Sequence, residues 1–260
     1  MQDLLARARS ELCHEPIERR VRADDVVDST RAILVWEPRR AVPSYAVPAE
    51  DIAAELTPAP AANGEHPGVL HPGVPFAVHT AAGEPVSIGA REGAGFRLAD
   101  ADLAGYVALD FNAFEQWLEE DEPMYGHPLD PYQRIDVRRT SRPVRIEVDG
   151  EVMAETTAAR LLYETQLPTR FYIPREDIGE ELVPSPRRTY CPYKGEASYW
   201  SVAGLEDIAW SYEQPRSDVA AVAGLVAFWD HHRIEIYVGG ERWLKPGGEI
   251  TAALHDEFSV

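Results

Sequence analysis

The stretch DSTRAILVWE at residues 28–37 returns 127 residues later as ETTAARLLYE at residues 155–164. A second stretch behaves in the same way, because YAVPAEDIAAEL at 45–56 returns 126 residues later as FYIPREDIGEEL at 171–182. Both pairs keep the order of their apolar residues. An internal repeat of this kind predicts two related folding units, since each copy must bury its own apolar pattern or share a core with its twin.

The repeat divides the 260 residues into four segments. The leucines between residues 4 and 12 recur at helical spacing until Pro16, which predicts a helix at the N-terminus. The segments that we expect are an N-terminal helical extension at 1–17, a diverged first copy at 18–140, a second copy at 141–241 and a C-terminal tail at 242–260.

Strand signals dominate both copies. In the second, residues 144–148 alternate apolar with polar, Asp149 and Gly150 supply a two-residue turn, and residues 151–155 resume the alternation. Residues 20–27 repeat this hairpin more weakly. Short strands at 134–137 and 233–238 are predicted to end the two copies. The fold class is therefore mainly β, with a minor α component.

Helices are expected at few positions. Pro174, like Pro48 in the first copy, favours a first helical turn, and Ile178 and Leu182 would lie on one face of the short helix that follows. Each copy should contain one such helix. In the first copy, Asn112 can also cap a helix that carries the aromatic residues near Trp117.

Composition restricts the class of protein. The net charge of −19 repels phosphate backbones and anionic lipid, and no basic patch opposes it, so we expect neither nucleic-acid nor membrane binding. Cys13 and Cys191 alone cannot build a disulfide framework or a four-thiolate zinc site, which favours a reducing compartment. No signal peptide or apolar span of about 20 residues is seen, so a soluble, cytoplasmic protein is expected.

The segment 189–200 holds the densest set of reactive groups. Cysteine attacks as the thiolate, and the ammonium of Lys194 could stabilise that anion if the turn between it and Cys191 folds back. Gly195 would let the backbone approach a ligand closely. Three interpretations remain open: a buried thiol beside a surface lysine, a nucleophilic cysteine, or a non-covalent ligand site.

Aromatic residues surround this segment. On a strand, Trp210 and Tyr212 share a face, whereas Tyr199 and Trp200 point apart. Some of these rings could wall a pocket that stacks a planar or cationic ligand. His231 and His232, or His71 with His79, lack the further converging ligands that a metal needs, so no metal site is expected.

The runs PREDI at 174–178, TYCPYKGEASY at 189–199 and AWSY at 209–212 resemble the family known as domain of unknown function 427. The resemblance covers about residues 144–240, with residues 18–137 as a diverged copy that lacks the thiol, the lysine and the glycine. It implies two tandem mainly β domains akin to the Mss4-like β-tent. Zinc-binding members of that fold group use paired Cys-x-x-Cys motifs, which this chain lacks, and the label nucleotidyltransferase finds no supporting aspartates here. The family motif maps onto Cys191, Pro192, Lys194, Gly195, Ala197, Ser198 and Tyr199.

The leading hypothesis is a small-ligand-binding β domain without a cofactor, whose unknown ligand is anionic or planar. An alternative is an enzyme in which Cys191 and Lys194 are catalytic and His231 or His232 is the base. A third hypothesis is a protein-interaction scaffold, and homo-oligomers are compatible with each. The residues expected to bind the ligand are Tyr193, Lys194, Gly195, Ser198, Tyr199, Trp200, Trp210 and Tyr212.

Overall fold

The computed structural model describes residues 11–61, 70, 73–165, 167–229 and 231–244. The chain is mainly β, as predicted, and it divides into two compact units between Tyr132 and Gln133. Most of the predicted N-terminal helix lies outside the described residues. Within them, Cys13–Pro16 is a strand, so the helical prediction is wrong for this part of 1–17. No helix in the described residues is long and apolar enough to cross a membrane.

The first unit contains eleven strands within the described residues, with 3-10 turns at Ala49–Asp51 and Phe111–Ala113. The strands are β1 (Cys13–Pro16), β2 (Val21–Ala23), β3 (Val27–Ser29), β4 (Ile33–Trp36), β5 (Ser44–Pro48), β6 (Leu56–Pro58), β7 (Gly83–Ile88), β8 (Arg91–Leu98), β9 (Tyr106–Leu109), β10 (Trp117–Glu119) and β11 (Glu122–Met124).

These strands form two antiparallel sheets in the first unit. A seven-stranded sheet has the order β1-β4-β5-β9-β8-β7-β6, and a four-stranded sheet has the order β11-β10-β2-β3. Val21 and Trp117 of the smaller sheet pack with Leu34 and Val107 of the larger one in a single buried cluster. The main core of the first unit therefore lies between its two sheets.

The second unit also contains eleven strands within the described residues, with 3-10 turns at Arg175–Asp177 and Ser217–Val222. The strands are β12 (Ile135–Arg139), β13 (Val144–Val148), β14 (Glu151–Thr156), β15 (Arg160–Glu164), β16 (Leu167–Tyr172), β17 (Val183–Cys191), β18 (Gly195–Val202), β19 (Leu205–Ser211), β20 (Val226–Phe228), β21 (Ile234–Val238) and β22 (Glu241–Arg242).

The strand order of the second unit repeats that of the first. Its sheets run β12-β15-β16, β17-β18-β19-β20 and β14-β13-β21-β22, and an isolated bridge from Ile173 to Val226 connects the end of β16 to β20. Adding eleven to each strand number of the first unit therefore gives the order of neighbouring strands in the second unit. Ile146 and Phe171, from the two sides of this arrangement, lie in one buried cluster.

A second buried cluster covers the other face of the β16 to β19 region. Tyr172, Tyr199, Trp210 and Tyr212 pack together there, against valines of the 3-10 turn Ser217–Val222. This aromatic face carries the candidate site, because the turn between β17 and β18 opens onto it.

The predicted hairpin at 144–155 is confirmed. A short helical turn also follows Pro48 and Pro174, as predicted. The predicted length of the helix that would carry Ile178 and Leu182 on one face is wrong. The helix is a single turn, Arg175–Asp177, because Ile178 is extended and pairs with Ala154. Both apolar side chains still pack against the core.

Two further predictions are corrected. The helix expected after Asn112 is a 3-10 turn capped by Asp110, and Trp117 lies on β10 because that segment pairs with β2. Tertiary pairing has overridden the helical spacing. The strand near Ile135 forms, but it pairs with β15 of the second unit and so does not end the first.

Candidate functional site

The turn between β17 and β18 brings Cys191 and Lys194 together. The Lys194 amide donates to the Cys191 carbonyl at 3.2 Å, and the Lys194 carbonyl accepts from the Arg216 amide at 3.1 Å. Gly195 has a φ of +100°, and a side chain there would place its Cβ 3.3 Å from the Gln214 carbonyl. Glycine is therefore required at this turn by its backbone angle, as well as by close approach of another loop.

Lys194 forms an ion pair that is almost closed to solvent. Its Nζ lies 2.5 Å from Oε2 of Glu164, with 12% of the Lys194 side chain and 7% of the Glu164 side chain exposed. Glu164 ends β15, and its Oε1 accepts from the side-chain Nε2 of Gln133 at 3.1 Å. Sequence reasoning missed Glu164, although it closes the repeated stretch ETTAARLLYE.

The charge state of Lys194 follows from two opposed effects. Burial by itself lowers the pKa of the ammonium, but the negative charge and hydrogen bond of Glu164 outweigh it, with Cys191 adding in the same direction. The net pKa of Lys194 lies above its usual value. The amine is thus protonated at neutral pH and acts as a hydrogen-bond donor.

Two tyrosine hydroxyls adjoin the pair. Burial raises the pKa of Tyr172 to about 12, while Lys194 and a hydrogen bond from Trp210 Nε1 at 3.3 Å act against this rise. Burial also raises the pKa of Tyr212 well above its usual value, helped by Tyr172, Cys191 and Glu164. We call Glu164, Tyr172, Cys191, Lys194 and Tyr212 the lysine cluster, because each lies within electrostatic range of others in the set.

The predicted ligand-binding residues divide between two faces of β18. Tyr199 pairs with Trp210 in register, and both lie on the aromatic face with Tyr212. Trp200 packs against the other core, and its Nε1 donates to Ser211 Oγ at 2.9 Å. The alternation predicted for Tyr199 and Trp200 is confirmed.

Ser198 and Trp200 therefore do not face the lysine cluster. Ser198 pairs in register with Ser211, which shares the face of Trp200. The Arg175 guanidinium lies 4.2 Å from the Trp200 ring centroid and donates to Ser211 and Glu213. These residues form a separate polar network on the opposite side of the sheet.

Arginines cover part of the aromatic face. The Arg187 guanidinium lies 4.5 Å from the Tyr199 ring centroid, and that of Arg170 lies 5.5 Å from both Trp210 and Trp229. Tyr193, in the turn itself, is half-buried. Asp207 lies 3.8 Å from Arg187 and offsets part of its charge. These ring faces are nevertheless occupied by cationic groups, which suits an anionic rather than a cationic ligand.

The histidines considered as a base lie elsewhere. Burial lowers the pKa of His231, with smaller contributions from His232 and Arg233, while Asp149 of the β13–β14 turn acts against it. Among the described residues, the charged groups that act on His231 are these three and do not include Cys191. His71 lies outside the described residues. In the part of the chain that is described, no three His, Cys, Asp or Glu side chains converge as a metal site would require.

The first unit has a buried carboxylate at the position that the strand order makes equivalent to Glu164, and its partners are different. Glu37 follows β4 as Glu164 ends β15, and its side chain is 5% exposed. It accepts from the Thr80 amide at 3.0 Å and the Arg40 Nε at 3.1 Å, and it lies 2.9 Å from His79 Nδ1. Burial opposes ionisation of Glu37, but His79 and Arg40 hold its pKa below the usual value.

Comparison with known families gives a match in the second unit. Residues 136–240 match the family described as a domain of unknown function (DUF427). The matched region contains Glu164, Cys191 and Lys194. Among curated proteins, the comparison finds no match to this chain.

Proposed function

We propose that the second unit is a small-ligand-binding β domain whose polar centre is the lysine cluster. The observation that supports this proposal is the Lys194–Glu164 pair, 2.5 Å long and almost closed to solvent, beside a thiol and two buried tyrosines. A buried ion pair stabilises a fold no better than well-packed apolar residues of the same volume. Buried titratable groups with strongly shifted pKa values are concentrated at functional sites.

The chemistry of the cluster suggests the ligand class. An ammonium has three donors, and among the described residues Glu164 accepts one of them, which leaves two for oxygen atoms of a ligand. The guanidinium groups of Arg170 and Arg187 add positive charge over the neighbouring rings. We therefore propose a small anion with a planar body, bound by Lys194 and flanked by Tyr193, Tyr199, Trp210 and Tyr212.

Native mass spectrometry of the full chain, followed by calorimetric titration, tests this proposal. Inorganic phosphate probes the anionic requirement alone, and benzoate probes a planar anion. We expect benzoate to bind more tightly than phosphate, and Lys194→Met to weaken binding at least tenfold. Ser198→Ala, on the opposite face of β18, is the matched control and should bind as the parent does. Equal binding by Lys194→Met, or no saturable binding of either probe, would contradict the proposal.

We also propose that the first unit is a diverged copy of the second, joined to it in tandem. The repeated strand order supports this, as do two equivalent isolated bridges, Val27 to Ile52 and Ala154 to Ile178. On this proposal, Glu37 and Glu164 descend from one ancestral carboxylate. The two cysteines and the net charge of −19 further support a cytoplasmic protein that binds no nucleic acid.

A catalytic role for Cys191 is the second candidate. It is favoured by one observation, the electrostatic coupling of the sulfur to the protonated Lys194. Glu164 opposes it, because a carboxylate next to the ammonium cancels most of the field that would stabilise a thiolate. Alkylation of Cys191 separates the two candidates, since only a nucleophilic role requires a thiol more reactive than a free one.

A further inference from the structure

The first unit has a cleft of its own, away from the residues that match the family. It opens between the start of β5, the end of β9 and the turn near His127, and its volume is about 50 Å³. That volume has room for about three to five water-sized groups. The cleft therefore has the size of a compact headgroup rather than of a whole metabolite.

Asp110 is the acidic residue that lines this cleft. It is half-buried, and its Oδ1 accepts from the Asn112 amide at 2.9 Å. Burial raises the pKa of its carboxyl, even though that hydrogen bond and the positive charges of Arg40 and His79 act in the opposite direction. Among the described residues, Asp110 forms no ion pair within 4.0 Å. Its negative charge is thus incompletely compensated by the protein.

Arg40 also lines the cleft, but it is held by other groups. Its Nε lies 3.1 Å from Glu37 Oε1, and its Nη2 donates to the Val78 carbonyl. Glu37 therefore cancels the charge of Arg40 locally. His127 is occupied in part as well, because its Nδ1 lies 2.7 Å from the Pro128 carbonyl and must donate to it. With Arg40 paired to Glu37, Asp110 is the charged group of the cleft lining that no described residue pairs within 4.0 Å.

The remaining walls suit a cation with a short hydrocarbon stem. Phe76 and Phe111 line the cleft together with Leu109, and Ser44 supplies a hydroxyl. Aromatic rings attract ammonium groups through their electron-rich faces, and apolar side chains remove methylene groups from water. We infer that this cleft binds the headgroup of a small organic ammonium ion, with Asp110 as its counter-ion and the phenylalanines around its stem.

Titration of the full chain with 1,4-diaminobutane, followed by amide NMR, tests this inference. 1,4-Butanediol has the same length without charge, and succinate has the opposite charge. We expect saturable shifts at the amides of Ser44, Asn112 and Gly126 with the diamine alone. Shifts that do not saturate, that fall elsewhere, or that the diol reproduces would overturn the inference.

Two variants of opposite sign make the test independent of any folding defect. Asp110→Asn keeps an oxygen for the Asn112 amide but removes the charge, and should weaken diamine binding at least tenfold. Asn112→Asp adds a carboxylate at the exposed mouth and should tighten it about threefold. Asp102→Asn, at an exposed turn of the same unit, is the control. Unchanged affinity in both Asp110→Asn and Asn112→Asp would refute the site.

This site is separate from the one proposed in the second unit. Lys194→Met should weaken benzoate binding at least tenfold and leave diamine binding unchanged, whereas Asp110→Asn should weaken diamine binding at least tenfold and leave benzoate binding unchanged. The failure of either proposal is therefore distinguishable from the failure of the other. Loss of both ligands in either single variant would contradict the assignment of two sites.

Discussion

Glu164 and Lys194 meet at 2.5 Å although thirty residues separate them in the chain. Glu164 is fixed by the end of β15, and Lys194 by the turn into β18. The pair therefore reports whether two distant parts of the second unit are correctly assembled. Its low exposure makes the loss of one partner costly, because the other charge would remain buried.

Removing either member of this pair should destabilise the protein strongly. Glu164→Gln or Lys194→Met should each lower the free energy of unfolding by about 3 to 5 kcal/mol, because an unpaired charge remains buried. Urea denaturation measures the change, and the double variant should lose less than the sum of the singles. Asp136→Asn is the control, because its ion pair with Arg138 is more exposed and should contribute less than about 1 kcal/mol. Losses as small as the control's would show that solvent reaches the pair.

The buried tyrosine should make stability fall in alkaline solution. The pKa of Tyr172 is raised from 10.0 to about 12, so the folded protein holds this proton more tightly than the unfolded chain does. The stabilisation is complete below pH 10 and is lost as pH rises through 12, and two pKa units correspond to about 3 kcal/mol. Tyr212 and Lys194, whose pKa values are also raised, act in the same direction.

Tyr172→Phe isolates this contribution. Urea unfolding at pH 8 and pH 11 should show a smaller loss of stability in Tyr172→Phe than in the parent. Tyr163→Phe is the matched control, since Tyr163 is 43% exposed and should leave the parent's pH dependence intact. If Tyr172→Phe and the parent lost equal stability between these pH values, the hydroxyl would not be the buried acid that the structure describes.

Gly195 and Gly204 allow the cost of a positive φ angle to be separated from the cost of a steric contact at the Cβ position. Both have positive φ, +100° and +74°, but only Gly195 has a backbone atom near the position of a Cβ. Gly204→Ala should cost about 1 kcal/mol through its backbone angle alone. Gly195→Ala should cost more, by at least about 1 kcal/mol, because its φ is less accessible and the Gln214 carbonyl must shift. Thermal unfolding of both variants gives the difference, and equal losses would exclude a role for the contact.

Sequence patterns were sufficient for strands whose signals are local, but not for strands or site contacts that depend on distant pairing. The hairpin at 144–155 follows from alternation and a two-residue turn, both of which are local. Trp117 was misassigned because its helical spacing is also local, whereas the pairing of β10 with β2 is not. The partner of Lys194 was missed for the same reason. Glu164 reaches it through the pairing of strands, which the spacing of residues along the chain does not encode.

The reactivity of Cys191 should depend on the two charges beside it in opposite ways. A positive charge stabilises a thiolate and a negative charge destabilises it. In a Cys13→Ser background, Lys194→Met should slow iodoacetamide alkylation of Cys191 at pH 7, and Glu164→Gln should accelerate it, each by about tenfold. Alkylation of the urea-unfolded chains controls for intrinsic reactivity.

With both charges present, we expect Cys191 to react no faster than N-acetylcysteine, as a non-covalent ligand site requires. A parent rate well above that of the free thiol would instead support the nucleophilic role, and equal rates in all three proteins would show that Cys191 is not coupled to the lysine cluster.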